Sequence, residues 1–398
     1  MKRLLLLSLL DLCLALLVLG CAAAGTSTPR DSARDSPTAS ATAKALPAAE
    51  TPPPSATPSP QRKPSQPRVE VVAEQLDVPW SLAFAPDGRL FFTERSGRVR
   101  VITKGRVEPE PLATLRVTAV TEAGLMGLAL DPEFSRNGYL YVMYTYRAGD
   151  QLRNRVSRLT ERDGKATDEH ILLDNLPAGN IHDGGRLKFG PDRKLYITLG
   201  DTGNSAFAQQ RDTLAGKILR INPDGSIPPD NPFPGSPVYS LGHRNPQGLA
   251  WHPVTGVLFE TEHGPTGNDE VNIIEAGRNY GWPQVQARAG NPEFVDPILF
   301  FNPSVAPSGA TFYQGDKLGD WTGNLFFAGL VGQQLHRIVL KAPDFREVES
   351  HESLNLGEYG RLRDVVEGPD GFLYFATNNR DGRGRPGPAD DRILRIVP

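Results

Sequence analysis

The sequence predicts an all-β protein, a six-bladed β-propeller of four-stranded antiparallel blades. Six segments share one pattern, in which an apolar strand, a turn of Pro, Asp or Gly, and an apolar or aromatic strand follow one another; they begin at residues 79, 124, 185, 246, 308 and 362. Turn prolines at positions 86, 132, 191, 253 and 369 give a period of about 57 residues, which is typical of propeller blades. Long helical patterns are absent.

The propeller is predicted to occupy residues 68–398 as one domain. That length holds about six repeats and leaves no room for a second domain. The strand-like segment that begins at Arg68 and the C-terminal strand ILRIVP are expected to pair in one blade, because closing the ring protects strand edges that would otherwise stay unpaired. A two-sheet sandwich is the alternative, and it would explain the alternation within strands but not their recurrence.

Residues 1–20 are predicted to be a lipoprotein signal peptide. Lys2 and Arg3 precede an apolar run that is shorter than a membrane span of about 20 residues and is interrupted by Asp11. The run ends in Val-Leu-Gly-Cys, which predicts lipidation of Cys21; an ordinary signal peptide is the alternative. The protein is therefore expected to be exported and lipid-anchored at the cell envelope.

Residues 21–67 are predicted to be a disordered tether, because Ala, Pro, Ser and Thr dominate and such a composition cannot bury a core. The formal net charge of the whole chain is −3 and its basic residues are scattered, which argues against a nucleic-acid partner. Cys13 would leave with the signal peptide, so no internal disulfide is expected.

The segment from Asn180 to Asp201 carries the first candidate for chemistry. His182 stands before one strand of a predicted hairpin and Asp201 follows its partner strand. A hairpin brings such chain-distant positions together, so the two residues form a candidate base and its orienting carboxylate.

Other polar groups stand before innermost strands of the repeats. In a propeller, the loops that enter these strands surround the mouth of the central channel. Four separate repeats place polar side chains there, namely Glu122, His182, Arg244 with Asn245, and Arg361 with Arg363. Arginines that converge with a histidine suit an anionic cofactor or substrate.

The segment Glu262–Glu270, EHGPTGNDE, combines a tight bend with acidic residues. A bend exposes main-chain carbonyls, and hard cations such as calcium prefer oxygen ligands. An ordinary surface turn is the alternative interpretation.

Five motifs in order resemble the bacterial pyrroloquinoline quinone (PQQ)-dependent aldose sugar dehydrogenases, which are grouped with the glucose/sorbosone dehydrogenases. They are GGRLKFGPDRKLYITLGD, GKILRINPDGSIPPDNPF, GHRNPQGLAWHP, EHGPTGNDEVN and NYGWP. The resemblance spans roughly residues 70–398 and implies a six-bladed propeller that oxidises aldose sugars to lactones with PQQ and calcium.

The resemblance also implies roles for single residues. His182 would be the general base that removes the proton of the anomeric hydroxyl, Asp201 would orient it, and hydride would pass to PQQ. The residues implied to hold or polarise PQQ are Glu122, His182, Arg244, Asn245, Arg361 and Arg363. The carbonyls of Gly264 and Pro265 would hold calcium together with PQQ, and Glu270 with the carbonyl of Tyr280 would hold a second, structural calcium.

Three positions depart from the soluble glucose dehydrogenase branch of that family. Val331 replaces a lysine that contacts the cofactor, Ile181 replaces an acidic residue, and Glu122 replaces a glutamine that contacts the sugar. Broad aldose use is therefore expected in place of strict glucose specificity, with an unidentified electron acceptor. The alternative functions are a calcium-dependent lactonase-type hydrolase and a non-catalytic extracellular binding propeller.

Overall fold

The computed structural model describes residues 67–398. The predicted signal peptide, Cys21 and all but the last residue of the predicted tether lie outside this range. Six antiparallel sheets make up the described region, and they form the six blades of a β-propeller, as the sequence predicted. No helix in residues 67–398 is long and apolar enough to cross a membrane.

Each blade runs from an inner strand at the channel to an outer strand at the rim. Blade 1 contains β2 (Pro79–Phe84), β3 (Leu90–Glu94), β4 (Arg98–Thr103), β5 (Arg106–Val107) and the short β6 (Ala113–Thr114). Blade 2 contains β7 (Leu125–Leu130), β8 (Tyr139–Ala148), β9 (Gln151–Arg162) and β10 (Lys165–Pro177). Blade 3 contains β11 (Leu187–Phe189), β12 (Leu195–Leu199), β13 (Lys217–Ile221) and β14 (Val238–Leu241).

The second half of the ring repeats this arrangement. Blade 4 contains β15 (Pro246–Trp251), β16 (Leu258–Glu262), β17 (Asp269–Ile274) and β18 (Leu299–Phe301). Blade 5 contains β19 (Pro307–Phe312), β20 (Leu325–Gly329), β21 (Gln334–Leu340) and β22 (Val348–Asn355). Blade 6 contains β23 (Leu362–Glu367), β24 (Leu373–Thr377), β25 (Ile393–Val397) and, at its rim, β1 (Arg68–Ala73).

Short helices occur only between strands of the described region. They are α1 (Phe134–Asn137) and three single 3₁₀ turns, Ser205–Gln209, Gly319–Trp321 and Gly357–Tyr359. The turn Gly319–Trp321 lies in the β19–β20 connection of blade 5, which lacks the Pro-containing turn of the other repeats. That longer connection explains why the repeat is weakest there in the sequence.

The N-terminal strand closes the ring. β1 pairs antiparallel with β25, with Arg68 opposite Val397 and Ala73 opposite Ile393. The predicted pairing of the two terminal segments is therefore confirmed, and the edge of blade 6 is covered by a strand from the start of the domain.

The core consists of apolar layers between neighbouring blades. Successive side chains of a strand point to opposite faces, so each blade packs one apolar face against each neighbour. Glycines on the inner strands allow these strands to approach the channel axis closely. A Cβ on Gly309 would lie 1.7 Å from Asp364 Oδ1, so only glycine fits there.

The channel is filled below its mouth by a buried ion pair that joins several blades. Arg186 Nη1 lies 3.0 Å from Asp364 Oδ2, and Arg186 Nε donates to the carbonyl of Gln247 at 2.8 Å. The guanidinium of Arg186 also lies over the ring of Trp80, 4.4 Å from its centroid. These contacts form a rigid floor beneath the predicted site.

A cavity of about 380 Å³ opens at the other end of the channel, below this floor. Its lining includes Lys188, Thr311 and Glu367 but none of the predicted site residues. The mouth and this cavity are therefore separate spaces.

Candidate active site

The structure brings His182 and Asp201 together, as the hairpin argument predicted. His182 precedes β11 and Asp201 follows β12, and these strands pair with Leu187 opposite Ile197. The resulting distance from His182 Nδ1 to Asp201 Oδ1 is 2.7 Å, and both side chains are largely buried.

The carboxylate of Asp201 has no free oxygen. Oδ1 also accepts from the N–H of Gly203 at 2.8 Å, and Oδ2 accepts from Trp282 Nε1 at 2.8 Å. An ionised carboxylate can only accept, so the ring of His182 donates through Nδ1 and keeps its lone pair on Nε2. The arrangement prepares Nε2 as a proton acceptor.

The main chain of His182 adopts a strained conformation that its neighbours hold in place. Its φ of 60° lies in the left-handed region, which non-glycine residues rarely occupy. Its N–H donates to Glu122 Oε2 at 2.9 Å, and Glu122 Oε1 forms an ion pair of 2.6 Å with Arg383. Burial opposes ionisation of Glu122, but the hydrogen bonds from His182 and Arg383 lower its pKa overall.

Arg363 is a buried cation without an acidic partner at the channel mouth. Its Nη1 donates to Gln247 Oε1 at 2.7 Å, its guanidinium lies 5.5 Å from the ring centroid of Trp80, and its Nε has no partner. Burial lowers the pKa of Arg363 to about 9. Arg361 differs, because Asp381 Oδ2 accepts from its Nη2 at 2.8 Å and from its Nε at 3.0 Å.

Arg244 and Asn245 complete the polar mouth from the loop before β15. Arg244 Nη1 donates to the carbonyl of His263 at 3.1 Å, and its guanidinium lies 5.4 Å from the ring centroid of Trp282. Asn245 Oδ1 accepts from the N–H of Gly184 at 3.1 Å. Arg244 Nε and Asn245 Nδ2 remain buried donors without an acceptor.

The predicted calcium ligands border one small cavity of roughly 10 Å³. Gly264, Pro265, Glu270 and Tyr280 all line it, together with Glu262. The N–H of Gly264 donates to Asp269 Oδ1 at 2.8 Å, which fixes the bend. Burial raises the pKa values of both Glu262 and Glu270 above their usual range.

Val331, which replaces the lysine of the soluble glucose dehydrogenase branch, lies in the β20–β21 loop and is 56% exposed. Its apolar side chain supplies no positive charge to the channel mouth. The charge of Arg383 does reach the mouth, where it pairs with Glu122. Arg383 comes from the long β24–β25 connection, whose sequence shows no repeat signal, and sequence reasoning missed it.

Two further residues were missed. Trp282 lies within the quoted motif NYGWP, but nothing in the sequence connects it with Asp201 across the site. Asp183 is also buried, where its Oδ1 accepts from Asn154 Nδ2 at 2.9 Å and its Oδ2 has no partner. Burial raises the pKa of Asp183 to about 7.

Comparisons with known proteins agree with this architecture. Residues 76–394 match the family described as glucose/sorbosone dehydrogenase. The solved structure of a putative oxidoreductase (glucose dehydrogenase) from Thermus thermophilus is 46% identical, with a TM-score of 0.77 over 83% of this chain and 100% of that one. The PQQ-bound aldose sugar dehydrogenase from Streptomyces coelicolor is 36% identical, with a TM-score of 0.75 over 84% of this chain and 99% of that one.

A relative found by sequence shows the same relationship. The aldose sugar dehydrogenase YliI of Escherichia coli K12 is 34% identical over 342 residues, which cover 79% of this chain and 91% of that protein. The chain therefore belongs to the glucose/sorbosone dehydrogenase family and is an oxidoreductase.

Proposed function

We propose that this protein oxidises aldose sugars at the anomeric carbon to lactones, with PQQ and calcium as cofactors and His182 as the general base. One observation carries the proposal. His182, oriented by the buried Asp201, lies at a channel mouth that also holds Arg363, a buried cation without an acidic partner. The PQQ-bound relative from Streptomyces coelicolor supports the choice of cofactor.

The donors at the mouth fit an anionic quinone. PQQ carries three carboxylates and two quinone oxygens, all of which accept hydrogen bonds. The structure leaves Arg244 Nε, Asn245 Nδ2 and Arg363 Nε buried without acceptors. A buried donor without a partner costs about 1–3 kcal/mol, so a ligand rich in acceptors would relieve these costs.

The protein's own groups would prepare the sugar for oxidation. His182 Nε2 would accept the proton of the anomeric hydroxyl, and Asp201 would stabilise the resulting imidazolium through the 2.7 Å contact with Nδ1. Arg244 would stabilise negative charge near the reacting atoms. PQQ, when bound, supplies the acceptor for the hydride that leaves the anomeric carbon.

The proposed calcium binding rests on the geometry of one small cavity. The small cavity that borders Gly264, Pro265, Glu270 and Tyr280 supports an ion near these residues. A calcium ion held by neutral carbonyls would rely on a carboxylate of PQQ for charge compensation. PQQ and calcium should therefore bind interdependently, each raising the affinity of the other by the same factor.

Dye reduction by the apoprotein tests the proposal. Sugar-dependent reduction of an artificial dye should require PQQ and calcium together, and each alone should give little activity. Hydrolysis of a lactone that requires calcium but not PQQ would support the lactonase alternative. Saturable polyanion binding, with no quinone absorbance after reconstitution, would support a binding propeller.

We also propose export and lipidation at Cys21, on the strength of the leader sequence alone. The wild-type chain should incorporate a radiolabelled fatty acid in bacterial cells and partition with membranes. Cys21→Ser should do neither, and incorporation by that variant would reject the site.

A further inference from the structure

The interface between blades 3 and 4 is unusual because acidic residues extend its apolar layer. Its apolar cluster has six buried residues, which include Ile218 and Leu258, whereas the other clusters have at least nine. Along β16, Leu258 is followed at two-residue intervals by Glu260 and Glu262, which share its face. Both glutamates are buried, with exposures of 0% and 3%.

The neighbouring strand adds a third acid to this layer. Glu262 is paired with Glu270 on β17, and Glu260 with Asn272. Asn272 Nδ2 donates to Glu260 Oε2 and to Glu270 Oε2, at 3.2 Å each. Asn272 thus shares one amide group between two carboxylates.

These acids lack ion pairs with basic side chains of the described residues, although the charge of Arg244 acts on Glu262 from a longer distance. Within residues 67–398, no Lys or Arg nitrogen forms an ion pair with Glu260, Glu262 or Glu270. Lys217 is buried nearby, but its ammonium donates to the carbonyls of Phe207, Ala208 and Ala215.

In blade 1, a buried glutamate at the equivalent strand position is neutralised by two arginines. Glu94 is the last residue of β3, as Glu262 is the last residue of β16, and its exposure is 1%. Arg98 Nε lies 2.6 Å from its carboxylate and Arg100 Nη1 lies 3.5 Å from it. The glutamates of blade 4 lack this compensation.

His243 directs a ring nitrogen without a hydrogen bond at the buried glutamates of blade 4. Its exposure is 0%, its Nδ1 lies 3.5 Å from Glu262 Oε2, and this nitrogen forms no hydrogen bond. Its Nε2 lies 2.8 Å from Ser240 Oγ. Glu260 Oε1 is also buried without a partner. Two ligand-type atoms, one in the β14–β15 loop and one on β16, therefore lack a hydrogen-bond partner within the same cluster.

We propose that His243 Nδ1, Glu260 and Glu262 bind a divalent metal ion between blades 3 and 4. One ligand atom from each residue lies within 4.8 Å of the others, a spacing that atoms sharing one ion adopt. The contact with Ser240 Oγ fixes the ring and leaves Nδ1 as the ligand, as hydrogen bonds to the second ring nitrogen do for histidines in known metal sites. An imidazole with carboxylates favours Zn²⁺ or Mn²⁺ over Ca²⁺, which prefers oxygen ligands alone.

This site is distinct from the calcium positions considered above. Neither His243 nor Glu260 lines the cavity that borders Gly264 and Tyr280. Glu262 has access to both, and its Oε2 accepts from the N–H of Arg244 at 3.1 Å. A metal ion bound by His243, Glu260 and Glu262 would hold blades 3 and 4 together and keep the turn at Arg244 in position.

Metal retention by the full-length protein tests the proposal without any sugar or PQQ. Protein stripped by a chelator is reloaded with Zn²⁺ or Mn²⁺ alone, passed through a desalting column and subjected to elemental analysis. Wild type and the matched control Glu94→Gln should each retain one equivalent. Glu260→Gln and His243→Gln should retain neither metal. Equal Zn²⁺ and Mn²⁺ retention by all four proteins would overturn the proposal.

A spectroscopic measurement on the wild type covers the case in which variants fail to fold. Co²⁺ added to the stripped protein should bind with one equivalent, and X-ray absorption should show an imidazole nitrogen and carboxylate oxygens around it. Failure to bind Co²⁺, or a shell of oxygen alone, would overturn the proposal and indicate that protons neutralise the glutamates. Because no step involves sugar oxidation, a lack of dehydrogenase activity would leave this result unaffected.

Discussion

The replacement Asp201→Asn removes a single charge from the carboxylate that orients His182 and leaves its size unchanged. In the wild type, Oδ1 accepts from His182 Nδ1 at 2.7 Å and from the N–H of Gly203 at 2.8 Å. Oδ2 accepts from Trp282 Nε1 at 2.8 Å. Asparagine has only one oxygen, so it cannot accept from both sides.

Either orientation of the new amide leaves a buried donor unpaired. If its oxygen faces His182, its NH₂ group opposes Trp282 Nε1; if it flips, the NH₂ group opposes the N–H of Gly203 and forces the His182 proton onto Nε2. One unsatisfied donor costs about 1–3 kcal/mol of stability. The loss of the charge-assisted bond, together with the wrong tautomer, should lower kcat by about 10²–10⁴-fold.

Trp282→Phe separates the two effects. Alone, this change removes one donor to Asp201 and should alter kcat by less than about tenfold at saturating PQQ. Combined with Asp201→Asn, it should restore part of the lost unfolding free energy in denaturant titrations, because one of the two opposed N–H donors is then removed, but kcat should stay low. If kcat recovers in step with stability, Asp201 acts by maintaining structure and the reasoning is wrong.

Three further predictions concern single groups. His182→Ala should lower turnover by about 10²–10⁴-fold even at saturating PQQ; near-normal turnover would remove the histidine from the mechanism. Arg361→Ala and Arg363→Ala should each weaken PQQ binding about 10- to 100-fold, less so at high salt, whereas the exposed Lys341→Ala should match wild type in the same titrations. Burial raises the pKa of Asp183 to about 7, so the folded state favours the protonated carboxyl. The stabilisation from this protonation is fully present below the pKa of the unfolded state and is lost as pH rises toward 7. In denaturant titrations from about pH 4 to 7, the unfolding free energy of Asp183→Asn should therefore rise relative to that of the wild type, by up to roughly 4 kcal/mol. If the unfolding free energies of the two proteins change in parallel with pH, the raised pKa is contradicted.

The fold could be predicted because local signals repeat. A hairpin with a Pro-containing turn, such as the one between β11 and β12, reports its own geometry, and six repeats fix the architecture. The proximity of His182 and Asp201 followed from the same hairpin. Even the ring closure followed from two strand-like termini that needed partners.

The remaining parts of the site depend on contacts between distant segments, which no local pattern reports. The Arg383–Glu122 pair spans 261 positions of sequence, and the Trp282–Asp201 bond spans 81. The sequence also could not show that Arg361 is paired with Asp381 whereas Arg363 has no acid partner, because the two arginines stand only two residues apart, at the start of β23. Whether a buried charged group has a partner of opposite charge depends on contacts that form only when the ring is packed.

The channel mouth concentrates features that cost stability, and the rest of the ring offsets them. His182 holds a left-handed φ, Arg363 is a buried cation without an acid partner, and three buried donors there lack acceptors. Such costs persist only where surrounding structure fixes them, and here the closed ring and the Arg186–Asp364 floor do so. A ligand that supplies the missing acceptors relieves these costs only in the folded state. PQQ binding and thermal stability should consequently rise together, by RT ln(1 + [L]/Kd), and Arg363→Ala should reduce both the affinity and the gain in stability.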